Sequence, residues 1–235
     1  CEQAQRDLLQ VKMRDNLMKQ RVNIMSSIRF TLKSIGVRVS SCNPDCFAKK
    51  CRASLAAENP ELLTMCEPSI MAVEILTKSI KDLERKIEEL CAQRYPATDL
   101  LRQITGVGAI TALTYVLTVG DPSRFGEPRD VAAYLGLVPK RDQSGGLDKQ
   151  LRISKAGDAY LRRLLVGAAQ YVLGPFGPDC DLRRHGEALS ERGGKAAKKK
   201  AVVAIARKLS VLLLVLWKNQ SEYKPLRGTH LPQVA

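Results

Sequence analysis

The chain is 235 residues long, and a hydrophobic content of 45% allows one or two globular domains at the usual domain size of roughly 100 to 200 residues. Its formal net charge of +14 indicates an anionic partner, most commonly nucleic acid, although solubility alone would also explain the charge. The most apolar run, residues 211–217, is far shorter than the about 20 residues of a membrane-spanning helix. No membrane partner is predicted.

The positive charge is concentrated in the second part of the chain. Residues 1–95 carry 16 Lys and Arg against 12 Asp and Glu, whereas residues 96–235 carry 22 against 12. Seven cysteines are an odd number, and a chain of this length does not need disulfides, so a reducing, cytoplasmic setting is predicted. Three cysteines lie close together, at Cys42, Cys46 and Cys51, but their loose spacing favours structural thiols over a zinc site.

The first part of the chain predicts two long helices. Residues 2–35 repeat apolar side chains at three- and four-residue steps, residues 36–60 have the Asn-Pro pairs of a loop, and residues 61–93 form a second helix. The second helix has a heptad seam, in which three- and four-residue steps alternate: Val73, Leu76, Ile80, Leu83, Ile87 and Leu90. This pattern fits either a helical hairpin packed on itself or a coiled coil that pairs two copies.

After Pro96 the sequence predicts shorter helices and a mainly α fold. The expected helices cover residues 98–105, 109–118, 128–135, 158–173 and 197–218, with one short strand at residues 151–155. The predicted architecture is a coiled-coil hairpin at 1–95, a compact helical domain at 96–225 and a disordered tail at 226–235.

A tight turn between two predicted helices carries Gly106 and Gly108 in the stretch LLRQITGVGAITALTYVL. The free N–H groups at a helix N-terminus favour a phosphate, and the pattern resembles a helix-hairpin-helix motif. The two glycines are therefore predicted to shape a turn that binds a nucleic-acid backbone. The alternative is a helical corner that contacts no ligand.

The stretch LVPKRDQSGG places Ser144 before two glycines, within a basic segment. A serine hydroxyl alone is a poor nucleophile, and no histidine is near in sequence, so a Ser-His-Asp triad is not predicted. A cationic surround suits a phosphodiester, but on the residues alone a solvated loop is the favoured interpretation. Four cations of this segment are predicted to contact nucleic acid: Lys140, Lys149, Arg162 and Arg163. Its other cations are Arg141, Arg152 and Lys155.

A second basic segment, ERGGKAAKKKAVVAIARKL, begins the last predicted helix. It lacks the first glycine and the Ser or Thr of a phosphate-binding loop, which excludes that class of nucleotide hydrolase. The lysines predicted to contact phosphates are Lys195, Lys198, Lys199 and Lys200, and a solvated charge run is the alternative.

Three stretches in series, LRQITGVGAITALTYVLTVGDPSRF, DVAAYLGLVPKRDQSGG and ISKAGDAYLRRLLVGAA, closely resemble the carboxy-terminal half of the IS110-type (IS116/IS110/IS902) transposases. The resemblance covers roughly residues 98–218, and residues 1–95 look like the coiled-coil region that precedes this half. It implies a DNA recombinase of mobile elements that is guided by an RNA. It also implies that Ser144, in the family's SG motif, is the nucleophile that joins transiently to DNA, with Arg141, Arg152 and Lys155 as candidate charge stabilisers.

The sequence departs from this family at its amino-terminal end. The family's RNase-H-like domain, which holds Mg²⁺ with Asp and Glu, is not in this sequence, and the chain opens on Cys1. We therefore expect a fragment that is inactive by itself and holds no cofactor. The expected partners are DNA, a guide RNA and a second copy bound through residues 1–95, in the nucleoid of a prokaryotic cytoplasm. The alternative function is a non-catalytic module that binds nucleic acid and dimerises.

Overall fold

The structure, a computed structural model, describes residues 2–144, 147–191 and 193–226, and the side chains of all of these except 142–144, 147–150 and 195. Apart from Leu226, the tail predicted to be disordered lies outside the described residues. The chain divides into two compact units, Cys1–Glu89 and Leu90–Ala235. The prediction of a mainly α fold is confirmed.

The first unit is a helical hairpin with a short helix in its connection: α1 (Glu2–Ser34), α2 (Phe47–Glu58) and α3 (Pro60–Arg94), whose last turn belongs to the second unit. Arg14 Nε donates to Glu84 Oε1 at 2.9 Å, and Arg21 Nη1 donates to Thr77 Oγ1 at 3.3 Å. The residue further along α1 thus contacts the residue that comes earlier in α3, so the two helices run antiparallel.

The prediction of a loop over residues 36–60 is wrong in its second half, which forms α2. The Asn43 side chain accepts a hydrogen bond from the amide of Asp45, and a 3-10 turn then leads into the helix. Phe47, Cys51 and Leu55 recur at four-residue steps and are fully buried. These three buried side chains are enough to hold a short helix against its neighbours. In the sequence, however, a pattern of only three residues does not predict a helix between two Asn-Pro pairs, which favour turns.

The predicted heptad seam of α3 is only half used within the chain. Val73, Ile80 and Ile87 are at most 1% exposed, whereas Leu76 and Leu83, the intervening seam residues, are half-buried. Antiparallel packing against α1 therefore accounts for one row of the seam and leaves the other row partly open.

Among the residues that the structure describes, the second unit packs six helices with a β-hairpin. Its longest helix, α9 (Gly194–Asn219), contacts all five of the others, one of them through the 2.7 Å hydrogen bond that the Tyr115 hydroxyl donates to the carbonyl oxygen of Ser210. The remaining helices are α4 (Ala97–Arg102), α5 (Ala109–Val119), α6 (Asp130–Tyr134), α7 (Ala159–Leu173) and α8 (Asp181–Ser190). The N-cap of α7 is Asp158, whose side chain accepts from the amide of Leu161 at 2.7 Å.

Two elements of the second unit differ from the sequence-based expectation. The segment around Ser144 is not a loop but strand β1 (Pro139–Ser144), paired antiparallel with β2 (Leu147–Ile153). The polar sequence PKRDQS has no alternation of apolar residues, so nothing in it predicts a strand. Helix α8 was also missed, because DLRRHGEALS is mostly polar and its N-cap is a cysteine, Cys180.

Candidate nucleic-acid interface

Ser144 is the last residue of β1, and its backbone pairs with Leu147 at the start of β2. The side chains of Ser144 and Lys149, and the connecting residues Gly145 and Gly146, lie outside the described residues. Arg141, which pairs with Gln150, is exposed on β1, three residues before Ser144. The hairpin thus carries the predicted nucleophile at the end opposite to its base.

The base of the hairpin is held by a close backbone crossing between the loop after α6 and the loop before α7. The amide of Ser154 donates to Val138 O at 2.8 Å, and that of Lys155 donates to Gly136 O at 3.1 Å. Lys155 has a φ of 57°, in the left-handed region that residues with a side chain rarely adopt. Strained backbone persists only where surrounding contacts impose it, and it often occurs at functional sites.

Glycine is required on both sides of this crossing. Gly136 and Gly157 have φ values of 68° and 70°. A Cβ on Gly136 would lie 2.3 Å from the backbone N and O of Ala156, and a Cβ on Gly157 would lie 2.2 Å from Tyr134 O. These distances are shorter than any van der Waals contact, so the crossing admits no side chain at either position.

Arg162, on the first turn of α7, holds the two loops of the crossing together through hydrogen bonds to backbone carbonyl oxygens on both sides. Its Nη1 donates to the carbonyl oxygens of Leu135 and Gly157, each at 3.1 Å, and to that of Ala156. Arg163 is exposed, and its guanidinium lies over the Tyr160 ring at 5.0 Å. Of these two predicted nucleic-acid contacts, Arg162 serves the fold directly, whereas Arg163 faces solvent.

A groove with a volume of about 1640 Å³ runs along α9, and we call it the α9 groove. Half-buried aliphatic side chains of α9 and the hairpin residues Leu151 and Ile153 line its floor. Asp181 is the single carboxylate among its described lining residues. Its cationic residues are Arg129, Arg152, Lys155, Lys199, Lys200, Arg207, Lys208 and Lys224.

The α9 groove brings together some of the predicted site residues and adds others that the sequence analysis missed. Arg152, Lys155 and Lys199 line it, whereas Lys198 is exposed elsewhere on α9 and Lys140 is exposed on β1. The side chain of Lys195 is outside the described residues. The predicted contact Lys200 also lines the groove. The missed cations Arg207 and Lys208 lie seven and eight residues after Lys200, a helical repeat that would have placed them on one face of α9.

The Gly106–Gly108 turn packs against the protein on one side and is open on the other. Gly106 has a φ of 92°, and a Cβ there would lie 3.0 Å from Ala168 O of α7. Val107 is 4% exposed and belongs to the core. A Cβ on Gly108 would meet no atom within 4 Å, and α5 has no side-chain N-cap. The N-cap residue of α5 therefore supplies no side-chain acceptor, and phosphate binding by this turn stays a prediction.

The cysteine cluster does not form a metal site in the part of the chain that the structure describes, where no group of three His, Cys, Asp or Glu side chains could hold an ion. Cys51 is fully buried, and burial raises the pKa of its thiol from 9.0 to about 11. A zinc ligand must be a thiolate, so this thiol fits the structural role that the sequence favours. No described helix is both long and apolar enough to cross a membrane.

Residues 98–180 match the family model described as Transposase IS116/IS110/IS902 family. The chain is 30% identical to the transposase for insertion sequence element IS1111A of Coxiella burnetii, over 91% of this chain and 59% of that protein. It is 31% identical to the transposase for IS1328 of Yersinia enterocolitica, over 69% of this chain and 48% of that protein. A pilin gene-inverting protein of Moraxella lacunata is 33% identical over 56% of this chain and 41% of its own length.

The chain thus spans about half the length of the curated relatives it matches. The matched domain includes the Gly106–Gly108 turn, the whole hairpin and α7. It also covers all three of the stretches that carry the resemblance in the sequence. The chain belongs to the IS110-type (IS116/IS110/IS902) family of transposases.

Proposed function

We propose that the chain works in DNA transposition or site-specific recombination, with Ser144 attacking a DNA phosphodiester. The observation that carries this proposal is the family match at residues 98–180, which contains the hairpin with Ser144 at the end of β1. The crossing that fixes the hairpin base, with Lys155 in a left-handed conformation, supports it. A rigid base is what a strand needs if it is to present a nucleophile at its tip.

In the proposed step Ser144 Oγ forms a bond to phosphorus, while the bond from phosphorus to the oxygen of the neighbouring nucleotide breaks. The hydroxyl gives up its proton, and the departing oxygen takes one up. Negative charge grows on the phosphate oxygens, and Arg141, on the same strand three residues before Ser144, would stabilise it as a nearby cation. Arg152 and Lys155 lie towards the hairpin base, roughly 13 Å or more along the strands from Ser144, and would contact the nucleic acid beyond the attacked phosphate. One phosphodiester replaces another, so the bond energy is kept and a strand can be resealed to a different end.

We further propose that the metal chemistry resides in a separate acidic domain of the complete enzyme. Within the described residues no carboxylate cluster could hold Mg²⁺, so no step is assigned to a metal on this chain. An RNase-H-like domain with Asp and Glu would supply it, and this chain alone would be inactive. A guide RNA would direct the complete enzyme to its target, in the nucleoid of a prokaryotic cytoplasm.

The test compares Ser144→Ala with the matched control Ser154→Ala, at the hairpin base, in a plasmid recombination assay with the complete transposase that carries these residues. Ser144→Ala should abolish strand exchange and leave nucleic-acid binding in a gel shift unchanged, because only the attacking oxygen is lost. Ser154→Ala should retain most of the exchange. Normal recombination by Ser144→Ala would refute the assignment.

The second candidate function is a non-catalytic module that binds nucleic acid and dimerises, and exposed cations together with the open row of the α3 seam favour it. Binding through several phosphates must weaken steeply with salt, with a slope near 0.9 for each phosphate contacted on duplex DNA. A gel-shift titration of the 235-residue chain against DNA and RNA at several salt concentrations tests this. Absence of binding at low salt would exclude it.

A further inference from the structure

The floor of the α9 groove is aliphatic, a property that phosphate binding does not require. Ala204, Val211 and Val215 are half-buried and follow one another at helical spacing, and Leu151 of β2 is 45% exposed beside them. Interfaces with nucleic acid are more polar than this, and single strands stack on aromatic side chains. Tyr223 and His185 are the two ring-bearing side chains suited to base stacking among the described residues of the groove, and the rest of its floor is aliphatic. An aliphatic floor instead favours a polypeptide.

The shape of the floor fits a helix. Its α9 wall extends from Ala196 to Val215, about 29 Å at 1.5 Å per residue. Ala204, Val211 and Val215 lie at i, i+7 and i+11 of α9, with Lys208 at i+4. Such a ridge on one helix is a surface against which the apolar face of a second helix packs. About five helical turns of a partner would lie along this wall.

The charges that line the groove determine which charge the partner helix should carry. Lys200, Arg207 and Lys208 are exposed on α9, while Arg152 and Lys155 reach the groove from the hairpin side. With Asp181 as the single carboxylate among the described lining residues, an approaching basic segment would be repelled. Carboxylates on both flanks of the bound helix would be complementary.

We propose that the α9 groove is the docking site of an amphipathic helix with an aliphatic face flanked by Asp and Glu. The floor would supply affinity through apolar burial, and the cations would select acidic partners and speed association. This inference does not depend on Ser144 chemistry, because it concerns the floor and the α9 cations and not the hairpin tip.

The probe is a synthetic, fluorescein-labelled helical peptide of about 18 residues, with Leu on one face and Glu on both flanks. Its binding to the full chain is measured by anisotropy at low and high salt. Two control peptides carry the same composition in scrambled order, or Lys in place of Glu. A labelled oligothymidylate is the nucleic-acid probe. The acidic helix should bind, and neither control peptide should.

Two matched pairs of variants locate the site. Lys208→Glu, in the groove, should weaken peptide binding roughly three- to tenfold at low salt, whereas Lys198→Glu, on α9 outside the groove, should not. Val211→Ser should weaken it about tenfold, whereas Phe176→Ser, an exposed residue elsewhere, should not. Circular dichroism confirms that each variant folds.

Three outcomes would overturn the proposal. The acidic peptide fails to bind, or it binds but responds equally to Lys208→Glu and Lys198→Glu, or the oligothymidylate alone binds and is weakened by Val211→Ser. The last result would assign the groove to a single strand. Because Ser144→Ala leaves the groove intact, it should not change peptide binding, so failure of this proposal and failure of the proposed function are distinguishable.

Discussion

Gly157 approaches Tyr134 so closely that a Cβ at position 157 would lie 2.2 Å from the Tyr134 carbonyl oxygen. The contact joins the loop before α7 to the end of α6, and the reciprocal contact of Gly136 with Ala156 lies beside it. Together with the hydrogen bond from Lys155 to Gly136, it fixes the base of the hairpin that carries Ser144. The fold and the candidate site therefore depend on the same few backbone atoms.

Gly157→Ala is expected to lower the free energy of unfolding by about 2–4 kcal/mol, since the new methyl group needs a left-handed backbone and collides with a carbonyl oxygen. Urea denaturation measures this. The matched control is Gly167→Ala within α7, where a Cβ would meet nothing within 4 Å. That change should stabilise the protein by about 0.5–1 kcal/mol through helix propensity. Equal stability of the two variants would contradict the close contact.

Arg162 and Arg163 are adjacent in sequence, yet we expect their replacement to change the free energy of unfolding by very different amounts. Arg162→Lys should cost about 1–3 kcal/mol of unfolding free energy, because an ammonium cannot reach the three carbonyl oxygens that Nη1 contacts. Arg163→Lys should change it by less than about 0.5 kcal/mol, since Arg163 is an exposed residue and a lysine ammonium can also lie over the Tyr160 ring. Thermal denaturation compares the two.

Nucleic-acid binding separates these residues further. Arg163→Ala should reduce the slope of log affinity against log salt by about one contact if Arg163 binds a phosphate. The opposite pattern, in which Arg162→Lys leaves stability unchanged and reduces the salt slope, would show that Arg162 contacts the nucleic acid and that its carbonyl contacts contribute little.

The long helices and the Gly106–Gly108 turn could be predicted from the sequence because their signals are local. Three- and four-residue periodicity gives α1, α3, α7 and α9, and the Asp158 N-cap is a local side-chain contact. The β-hairpin could not be predicted from PKRDQS, whose pairing depends on a partner strand rather than on apolar alternation. The same holds for α8, where tertiary packing of Leu182 outweighs a polar sequence.

Composition and motif indicated which residue types form the candidate site, but not which surface they share. Arg162 looked like any other cation of its segment, and only its contacts with Leu135, Ala156 and Gly157 show a role in the fold. The α9 groove joins residues from positions 129 to 225, so no window of sequence contains it. Long-range assembly is the part that local sequence patterns cannot supply.

The buried thiol of Cys51 predicts a dependence of stability on alkaline pH. Its pKa rises from 9.0 to about 11 on folding, so the folded state holds the proton more tightly than the unfolded state. The resulting stability is fully present below pH 9 and is lost as the pH rises towards 11. Urea denaturation at pH 8 and above pH 10 should therefore show a fall in unfolding free energy that is smaller in Cys51→Ala.

The exposed Cys46 provides the control for this measurement. Cys46→Ala should keep the full alkaline fall, because the buried Cys51 thiol is still present. At pH 8 iodoacetamide should modify Cys46 in the folded chain and reach Cys51 only in urea. An identical pH dependence in the two variants would mean that Cys51 does not contribute to it.

The open row of the α3 seam predicts how two copies associate. Leu76 and Leu83 are half-buried, and Met71 and Ile75 on the same helix are 49% and 61% exposed. A second copy packing on this row would bury apolar surface that the hairpin leaves open.

Leu76→Gln/Leu83→Gln should raise the dissociation constant of the dimer by roughly 10- to 100-fold. Light scattering over a concentration series measures this, with Lys78→Gln as the exposed control on α3. A wild-type chain that stays monomeric at every concentration would show that the half-buried row is solvated, and that α3 serves only the hairpin.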